Sequence, residues 1–406
     1  MKPIRILRLA AGGDGVGKLE DGRTLFVPRT APGDLVEITG LREHKRFARA
    51  RLHQVLEDSP HRVEPRCPHY VRDECGGCQL QHLDSETQLA GRQSFVGEAL
   101  RRIGKRDSAD PPIVPADQVY DYRTKLTLHV AAGGRRIGLH RYDRAEEVFD
   151  LQWCHITVPP LMELWQCVRE LRAFLPAQLL QLILRLDRCG HCHLVIRVGE
   201  GEVWSGAERL YREMQRKGAT ATVWYQPPEG AARAVAGADE AFPATVFEQV
   251  NPVMGDRVRA YAVEQLGQLT GRKVWDLYAG IGETTAQLVA RGARVESVEV
   301  DRRAVAEADA RGPAARRHTG RVEDVLPELA EPDCVITNPP RTGMDERVTS
   351  ALERLGPSRL VYISCDPATL ARDIQRLPRF RLAAVQAFDL FPQTTHVETV
   401  AVLDRT

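Results

Sequence analysis

The sequence predicts an α/β protein built from three parts. Residues 1–57 contain short β-like runs separated by glycine turns, and residues 58–245 join a cysteine-rich stretch to further β-like runs. In residues 246–406, apolar runs of strand length alternate with helical stretches. That alternation is typical of a parallel sheet in an α/β domain.

The N-terminal part is predicted to form a small β-barrel. The turn sequences GGDG, EDGR and APGD recur at hairpin spacing between runs such as TLFVPR and DLVEITGL. Basic residues cluster between Arg42 and Arg51. On charge alone, this segment is either a solvated strand pair or a surface that binds nucleic acid.

The other two parts contain both helices and strands. Helices are predicted at residues 85–103 and 159–174, among β-like runs such as KLTLHVA and LILRLD. The last two apolar runs, LAAVQAFDLF and HVETVAVLD, follow one another without a helix between them. We therefore expect them to form an antiparallel pair that closes one edge of the C-terminal sheet.

The composition excludes several classes of protein. With 56 Lys and Arg against 55 Asp and Glu, the net charge is +1, which argues against a polycation but leaves room for a local basic face. The chain shows neither a signal-peptide segment nor an apolar run of about 18 residues. We expect a cytoplasmic monomer without a membrane segment, whose 9 cysteines serve metal binding or catalysis more than disulfides.

A glycine turn in VWDLYAGIGETT predicts a nucleotide-like cofactor. Gly280 and Gly282 follow a strand and precede a helix, where the backbone can approach a ligand. Glu299 ends the next strand, in a position to accept hydrogen bonds from ribose hydroxyls. Because Thr285 stands where a dinucleotide site has its third glycine, S-adenosylmethionine is the preferred cofactor.

Two further residues end strands of the same sheet. Asn338, in NPPR, follows the run DCVIT, and the two prolines after it help to fix its side chain. Cys365 follows RLVYIS and precedes a helix that begins at Asp366 and Pro367. Since a helix N-terminus stabilises a thiolate, we interpret Cys365 as a nucleophile rather than a structural cysteine.

A cysteine nucleophile suits methylation of a pyrimidine. A thiolate that adds to C6 of uracil makes C5 nucleophilic towards a methyl donor, and a base must then remove the C5 proton. His396 and Glu398 lie near the final strand. Glu398 is the preferred base, because a carboxylate is ordinarily ionised at neutral pH.

The cysteines form two motifs of different kinds. CPHYVRDECGGC supplies Cys67, Cys75 and Cys78, and Cys154 is a candidate fourth ligand. Four thiolates suit zinc or an iron–sulfur cluster, and three close cysteines with one distant favour the cluster. The second C-x-x-C, at residues 189–192, lies between two β-like runs and is interpreted as a hairpin turn with incidental thiols. Cys167 and Cys334 are predicted core residues.

Several motifs resemble one family when they are taken in order. CGGC, FEQVN (Phe247 to Asn251), DLYAGIG, NPPR, SCDP and FPQTTHVET occur as they do in the RNA uracil-5-methyltransferases. The opening segment, with GRTLFVPRTAPGDLVEI, resembles a TRAM domain, a small RNA-binding barrel. The resemblance implies an N-terminal TRAM/OB-like β-barrel, a central β-rich RNA-binding region and a C-terminal Rossmann-like methyltransferase domain.

The resemblance also implies residue roles. Cys365 would be the nucleophile and Glu398 the base. The residues that would bind S-adenosylmethionine are Gln249, Tyr278, Gly280, Gly282, Glu283, Glu299 and Asn338. A [4Fe-4S] cluster would be held by Cys67, Cys75, Cys78 and Cys154. The chain departs from the family at Asn338, where an aspartate is usual, and in a longer loop between the first two of these cysteines.

Four alternatives stay open. Ribosomal RNA, 23S rRNA first, is the preferred substrate, with tRNA as the alternative. An amino-methyltransferase would share the NPP motif but would need no thiol, whereas an RNA cytosine-5-methyltransferase would also use a cysteine. A non-catalytic RNA-binding assembly factor is the alternative from another class, and the presence of Cys365 and Glu398 disfavours it.

Overall fold

The computed structural model describes residues 2–131, 133–134, 136–202, 204–237, 248–312 and 315–406. The chain divides into two compact units. The first comprises Met1–Arg62, Leu83–Asp117 and Val246–Thr406, and the second comprises Val63–His82 and Gln118–Thr245. Both units are therefore discontinuous in sequence, and the predicted three-part division stays a prediction.

The N-terminal β-like runs form a six-stranded sheet with the order β1-β5-β6-β4-β3-β2. Its strands are β1 (Ile4–Arg5), β2 (Arg8–Leu9), β3 (Gly15–Lys18), β4 (Thr24–Val27), β5 (Leu35–Glu43) and β6 (Phe47–Glu57). Alternate side chains such as Leu25 and Val27 are fully buried in its core. The strands are confirmed, but a closed barrel is not, because β1 and β2 are the sheet's two edges.

Three elements follow before the central sheet. They are α1 (Pro68–Arg72), α2 (Ser85–Arg102) and β7 (Ile113–Val114). α2 confirms the first predicted helix, and it begins where the Asp84 side chain accepts a hydrogen bond from the Thr87 N–H at 2.7 Å.

The second unit is built on a seven-stranded sheet with the order β10-β9-β8-β11-β12-β13-β14. The elements are β8 (Lys125–Val130), β9 (Ile137–Arg141), β10 (Arg144–Asp150), α3 (Pro159–Glu170), β11 (Leu179–Leu186), β12 (Cys192–Val198), α4 (Ala207–Arg216), β13 (Thr222–Gln226) and β14 (Arg233–Ala236). α3, followed by a 3₁₀ turn at Arg172–Phe174, confirms the second predicted helix. Its Trp165 and Cys167 are buried in the core against this sheet.

The C-terminal segment confirms the predicted alternation. Its elements are α5 (Pro252–Glu264), β15 (Lys273–Leu277), α6 (Glu283–Ala290), β16 (Arg294–Glu299), α7 (Arg302–Arg311), β17 (Arg316–Thr319), α8 (Val322–Val325), a 3₁₀ turn at Leu326–Glu328, β18 (Cys334–Thr337), α9 (Glu346–Leu355), β19 (Arg359–Ser364), α10 (Pro367–Gln375), β20 (Phe380–Phe388) and β21 (Glu398–Arg405). The sheet order is β17-β16-β15-β18-β19-β21-β20-β7, and the first five strands are parallel.

The edge of this sheet differs from the prediction. β20 and β21 are antiparallel as expected, but β7 pairs in parallel with β20 and takes the edge position. Two hydrogen bonds hold β7, from the Ala387 N–H to the Pro112 carbonyl and from the Asp389 N–H to the Val114 carbonyl, each 2.9 Å. A strand of two residues has no periodicity, so the sequence pattern does not reveal it.

The eight-stranded sheet is covered on both faces. α2, α9 and α10 contribute apolar side chains such as Leu100, Leu352 and Leu370 to one core. α5 and α6 contribute Val258 and Leu288 to the other. Among the helices in the described part of the chain, none combines the length and the apolarity that a membrane span needs.

Candidate active site

The carboxyl ends of the parallel strands bring most of the predicted site residues to one edge of the sheet. β15 is followed by Tyr278, β16 ends in Glu299, β18 is followed by Asn338 and β19 by Cys365. These four strands are neighbours in the order β16-β15-β18-β19. This is the edge at which open α/β sheets bind their ligands.

Three residues of the turn after β15 adopt the left-handed backbone conformation. Tyr278, Gly280 and Gly282 have φ of 63°, 55° and 79°. A Cβ on Gly282 would lie 3.0 Å from the Cβ of Ala308, so glycine is needed there for close packing. A Cβ on Gly280 would meet nothing within 4 Å, so the turn leaves open space beside that residue.

Glu299 connects this turn to the next strand. Its carboxylate accepts hydrogen bonds from the N–H of Gly280 at 2.9 Å and from the N–H of Asp301 at 2.8 Å. The backbone of the turn is thereby held next to the half-buried carboxylate. A ligand that rests on the glycine turn would therefore lie close to Glu299.

A buried carboxyl lies beneath the same turn, and the sequence analysis missed it. Burial raises the pKa of Asp276 to about 7, against the hydrogen bond that the Thr285 hydroxyl donates at 2.5 Å. Thr285, at the position where a dinucleotide site has its third glycine, therefore has a structural role of its own. It is fully buried, and its hydrogen bond to Asp276 fixes the first turn of α6 to β15. An acidic residue inside an apolar strand (VWDL) is the signal that could have identified Asp276.

Gln249 and Glu283 lie beside α5. A Cβ on Gly255 would be 3.0 Å from the Cβ of Gln249, so the glycine allows the glutamine to approach the helix. The carboxylate of Glu283 lies 3.1 Å from the guanidinium of Arg259, which is almost fully buried. Phe247, the first residue of the FEQVN motif, lies outside the described residues.

Cys365 is placed by both β19 and α10. Ser364 pairs with Thr399 in the antiparallel ladder of β19 and β21, so Cys365 emerges opposite Glu398. On the other side, Asp366 begins α10, and its carboxylate accepts hydrogen bonds from the N–H groups of Ala368 and Thr369, each at 2.9 Å. The thiol is half-buried.

The helix does not activate this thiol in the expected way. Burial raises the pKa of the Cys365 thiol, the nearby Glu398 raises it further, and Arg341 opposes both effects. The expectation of a thiolate stabilised by the helix N-terminus is therefore wrong in direction. The main physical reason is burial. Asp366, whose carboxylate occupies the N–H groups of Ala368 and Thr369, adds a smaller contribution through its negative charge.

Glu398 is buried, with 2 % of its surface exposed. Burial raises its pKa to about 8, and Arg341 opposes the rise. The expectation that this carboxyl is ionised at neutral pH without tuning is therefore wrong. Its Oε2 atom is buried and has no hydrogen-bond partner among the described residues. A buried polar atom of this kind indicates a place for a ligand.

His396, the other candidate base, packs edge-on against Phe391.

Arg341 is the second residue that the sequence analysis missed. It ends the NPPR motif, and its exposed guanidinium acts electrostatically on both Cys365 and Glu398. It is the one cation that affects the pKa of both groups in the described structure. A positive charge beside a thiol and a carboxyl favours the ionised form of each.

The predicted cluster cysteines lie close together in the second unit. Cys67, Cys78 and Cys154 share one small core. Burial and then the neighbouring Cys154, Cys75 and Cys67 raise the pKa of Cys78 well above its ordinary value. None of the four cysteines forms a disulfide bond. The two glycines matter too, because a Cβ on Gly76 would be only 3.3 Å from the carbonyl of His140.

The described residues contain no group of three or more His, Cys, Asp or Glu side chains placed to bind a single metal ion. A predicted iron–sulfur cluster is thus not confirmed.

The second C-x-x-C is a hairpin turn between β11 and β12, as expected. The carboxylate of Asp187, which accepts from the N–H groups of Cys189 and His191 at 2.8 Å, holds this turn without the thiols.

Comparison with known proteins agrees with this geometry. The family model described as tRNA (Uracil-5-)-methyltransferase matches residues 310–406, and the TRAM domain model of tRNA (uracil(54)-C(5))-methyltransferase matches residues 5–61. The 23S rRNA (uracil(1939)-C(5))-methyltransferase of Thiobacillus denitrificans is 32% identical over 100% of both chains. An uncharacterized RNA methyltransferase of Nostoc sp. is 34% identical over 98% of this chain and 95% of that one.

One solved structure matches the whole chain. The tRNA (uracil-54, C5)-methyltransferase of Pyrococcus abyssi, in complex with S-adenosyl-L-homocysteine, superposes with a TM-score of 0.76 at 22% identity. The match covers 99% of this chain and 100% of that chain, and it confirms the predicted fold class of a Rossmann-like methyltransferase domain with a TRAM segment. The chain therefore belongs to the family of S-adenosylmethionine-dependent RNA uracil-5-methyltransferases.

Proposed function

We propose that this protein methylates C5 of a uridine in structured RNA through a covalent bond between Cys365 and C6, with Glu398 as the base. The observation that carries the proposal is the Oε2 atom of Glu398, buried without a hydrogen-bond partner in the described structure and electrostatically coupled to the Cys365 thiol. A buried base beside a thiol at a strand end is the arrangement that this two-step chemistry needs.

The first step is the addition of the Cys365 thiolate to C6. The S–C6 bond forms while the C5=C6 electrons move towards C5 and O4. Because burial and Glu398 raise the pKa of this thiol, the thiolate depends on Arg341, whose positive charge opposes them. Arg341 also favours the ionised form of Glu398, which the second step requires.

The second step moves the methyl group and resolves the adduct. When bound, S-adenosylmethionine would supply the methyl group to C5 and leave as S-adenosylhomocysteine. Glu398 then accepts the proton from C5, the C5=C6 bond re-forms, and the C6–S bond breaks to release the Cys365 thiolate. A pKa of about 8 suits this transfer, because a base works best when its pKa lies near the operating pH.

The methyl donor is proposed to lie on the glycine turn after β15. Gly280 borders open space, and Glu299, held against it, would accept hydrogen bonds from the donor's ribose. Tyr278 and Asn338 follow β15 and β18 beside this space. We propose that Gln249, which precedes α5, and Glu283, the first residue of α6, also reach it. With no charge on its amide, Asn338 would orient the donor or the base by hydrogen bonds alone.

The proposed RNA contact is the exposed surface of β5 and β6 between Arg42 and Arg51, which we call the β5–β6 surface. It presents aromatic rings among cations: His44 stacks on Phe47 with ring centroids 4.4 Å apart, and Arg49 lies 5.7 Å above the ring of Phe26. Cations bind phosphates, and exposed rings stack on unpaired bases. This favours a nucleic-acid face over a merely solvated strand pair.

The proposed substrate is 23S rRNA, on the likeness to the Thiobacillus denitrificans enzyme over the full chain. A tRNA is the second candidate, because the two family models and the Pyrococcus abyssi structure carry tRNA enzymes' names. In either RNA the target base must leave its stack to reach Cys365, at a cost of a few kcal/mol.

We also propose that the protein acts as a cytoplasmic monomer.

Cys67, Cys75, Cys78 and Cys154 are proposed to hold a [4Fe-4S] cluster. None of these cysteines forms a disulfide bond, and Cys67, Cys78 and Cys154 share one small core. The neighbouring Cys154, Cys75 and Cys67 all act electrostatically on Cys78, and four such thiolates suit a [4Fe-4S] cluster. The N–H of Gly77 donates to the sulfur of Cys75 at 3.4 Å, and hydrogen bonds of this kind tune the reduction potential of a cluster. The cluster would stabilise this part of the fold.

The deciding experiment measures modified nucleosides. A strain without this gene, and the same strain carrying the gene or its Cys365→Ala variant, would supply purified 23S rRNA and tRNA for mass spectrometry. Loss of 5-methyluridine from one RNA, restored only by the unaltered gene, is the expected result and identifies the substrate. Unchanged 5-methyluridine in both RNAs would overturn the proposal, and loss of 5-methylcytidine would indicate the cytosine enzyme.

A further inference from the structure

The segment that precedes Glu398 is an irregular loop, several of whose residues are buried. Residues 389–397 connect β20 to β21, and we call them the β20–β21 loop. Leu390, Gln393 and Thr394 are all nearly inaccessible to solvent, and Gln393 adopts a φ of 69°, which a side chain with a Cβ rarely takes. A loop that is both buried and strained needs contacts that hold it in place.

Those contacts come from α2, a helix about 300 residues away in sequence. Arg92, only 1% exposed, places its guanidinium 3.1 Å from the Asp389 carboxylate and donates to the Thr394 carbonyl at 2.7 Å. One turn earlier, Gln88 donates to the Gln393 side chain at 3.0 Å and accepts from the Gln393 N–H at 3.2 Å. The two α2 side chains therefore contact the first residue of the loop, its strained residue and the residue that follows the strained one.

The β20–β21 loop directly precedes Glu398 in the chain but is not adjacent to Cys365. Cys365 is held by the ladder between β19 and β21 and by Asp366 at the start of α10. Glu398 is the first residue of β21, directly after the loop, where a small shift of the backbone would move its carboxylate. A disturbance of the loop should therefore affect the base more than the nucleophile.

We propose that Arg92 and Gln88 are positioning residues that hold Glu398 at the C5 proton, and that they control the breakdown of the covalent adduct rather than its formation. The inference rests on the proposed covalent reaction. An arginine suits this task, because one guanidinium places its charge beside the Asp389 carboxylate and also donates to the Thr394 carbonyl, in a geometry that a lysine would not reproduce.

The test follows a labelled methyl group from S-adenosylmethionine into total RNA of the gene-deleted strain. After denaturation, label in a protein–RNA band reports the methylated adduct, and label in free RNA reports finished product. The variants are Arg92→Lys, Gln88→Ala and the double variant Arg92→Met with Asp389→Leu, which leaves no unpaired buried charge. Arg102→Met, on the exposed side of the same helix, is the matched control.

We expect the variants to form the adduct at the unaltered rate but to release product about 10²-fold more slowly, so that label accumulates in the protein–RNA band. Arg102→Met should behave as the unaltered protein. An unchanged distribution of label, or an equal fall in adduct formation and release, would overturn the inference. If the double variant does not fold, Gln88→Ala carries the same test. Absence of a persistent adduct between the unaltered protein and RNA that carries 5-fluorouridine would instead overturn the covalent reaction.

Discussion

Ser364 and Thr399 face one another at the last paired position of β19 and β21, and this register brings Cys365 and Glu398 side by side. The two groups influence one another, because the negative charge of Glu398 raises the pKa of the Cys365 thiol. A nucleophile that is used first and a base that is used later are thus held by a single strand pair. Arg341 opposes the rise in both pKa values and so favours the ionised form of each group.

Replacing Cys365 with alanine should abolish both adduct and methyl transfer. Without the thiol, C5 of the uracil gains no electron density with which to take up a methyl group. RNA that carries 5-fluorouridine is the sharpest probe, because its C5 fluorine cannot leave as a proton does and the adduct persists. A denaturing gel should show the adduct for the unaltered protein and none for Cys365→Ala. Methylation by Cys365→Ala would instead support an amino-methyltransferase.

Glu398→Gln should trap the adduct on ordinary RNA. The amide fills the same space but cannot accept the C5 proton, so release of methylated RNA should fall by about 10² to 10⁴-fold. The measurement is the fraction of RNA bound covalently after a single turnover. Rapid release by this variant would exclude Glu398 as the base and direct attention to His396, for which His396→Asn is the matched variant.

The strand-end residues could be predicted because parallel strands in one sheet end at one edge, so Glu299, Asn338 and Cys365 had to lie near one another. The burial of Glu398, and the rise that burial causes in its pKa, could not be predicted, because a local sequence pattern does not show which side of a loop is covered. The contacts of α2 were also hidden: Gln88 and Gln393 are separated by 305 residues. Only the packed structure reveals such a pair.

Breakdown of the adduct should accelerate as the pH rises. Only the ionised form of Glu398 accepts a proton, and burial raises its pKa to about 8. The rate constant for adduct breakdown, followed after rapid formation at one fixed pH and a jump to another, should increase through neutral pH and level off above about 8. A rate that is constant between about pH 6 and 9, or one that falls, would contradict the role of a carboxyl with this raised pKa.

Arg341→Met should shift adduct formation towards alkaline pH. The guanidinium lowers the pKa of both Cys365 and Glu398, so its removal leaves less thiolate at neutral pH. Adduct formation with 5-fluorouridine RNA should slow at pH 7 and recover at higher pH. Arg347→Met removes another exposed arginine, which pairs with Asp324 and Asp345, and should leave the profile unchanged. Equal losses at every pH would show that Arg341 contacts the RNA without tuning the thiol.

The cysteine cluster can be tested with two matched serine variants. Cys78 is buried among the other three thiols, whereas Cys189 lies exposed in a hairpin turn that Asp187 holds. Protein purified without oxygen should contain iron and acid-labile sulfide, with Cys78→Ser losing both and Cys189→Ser retaining them. Cys78→Ser should also unfold at a lower temperature, because uncompensated thiols would remain in the interior. Bound zinc without sulfide would exclude the iron–sulfur assignment, and identical metal content in the two variants would place the metal elsewhere.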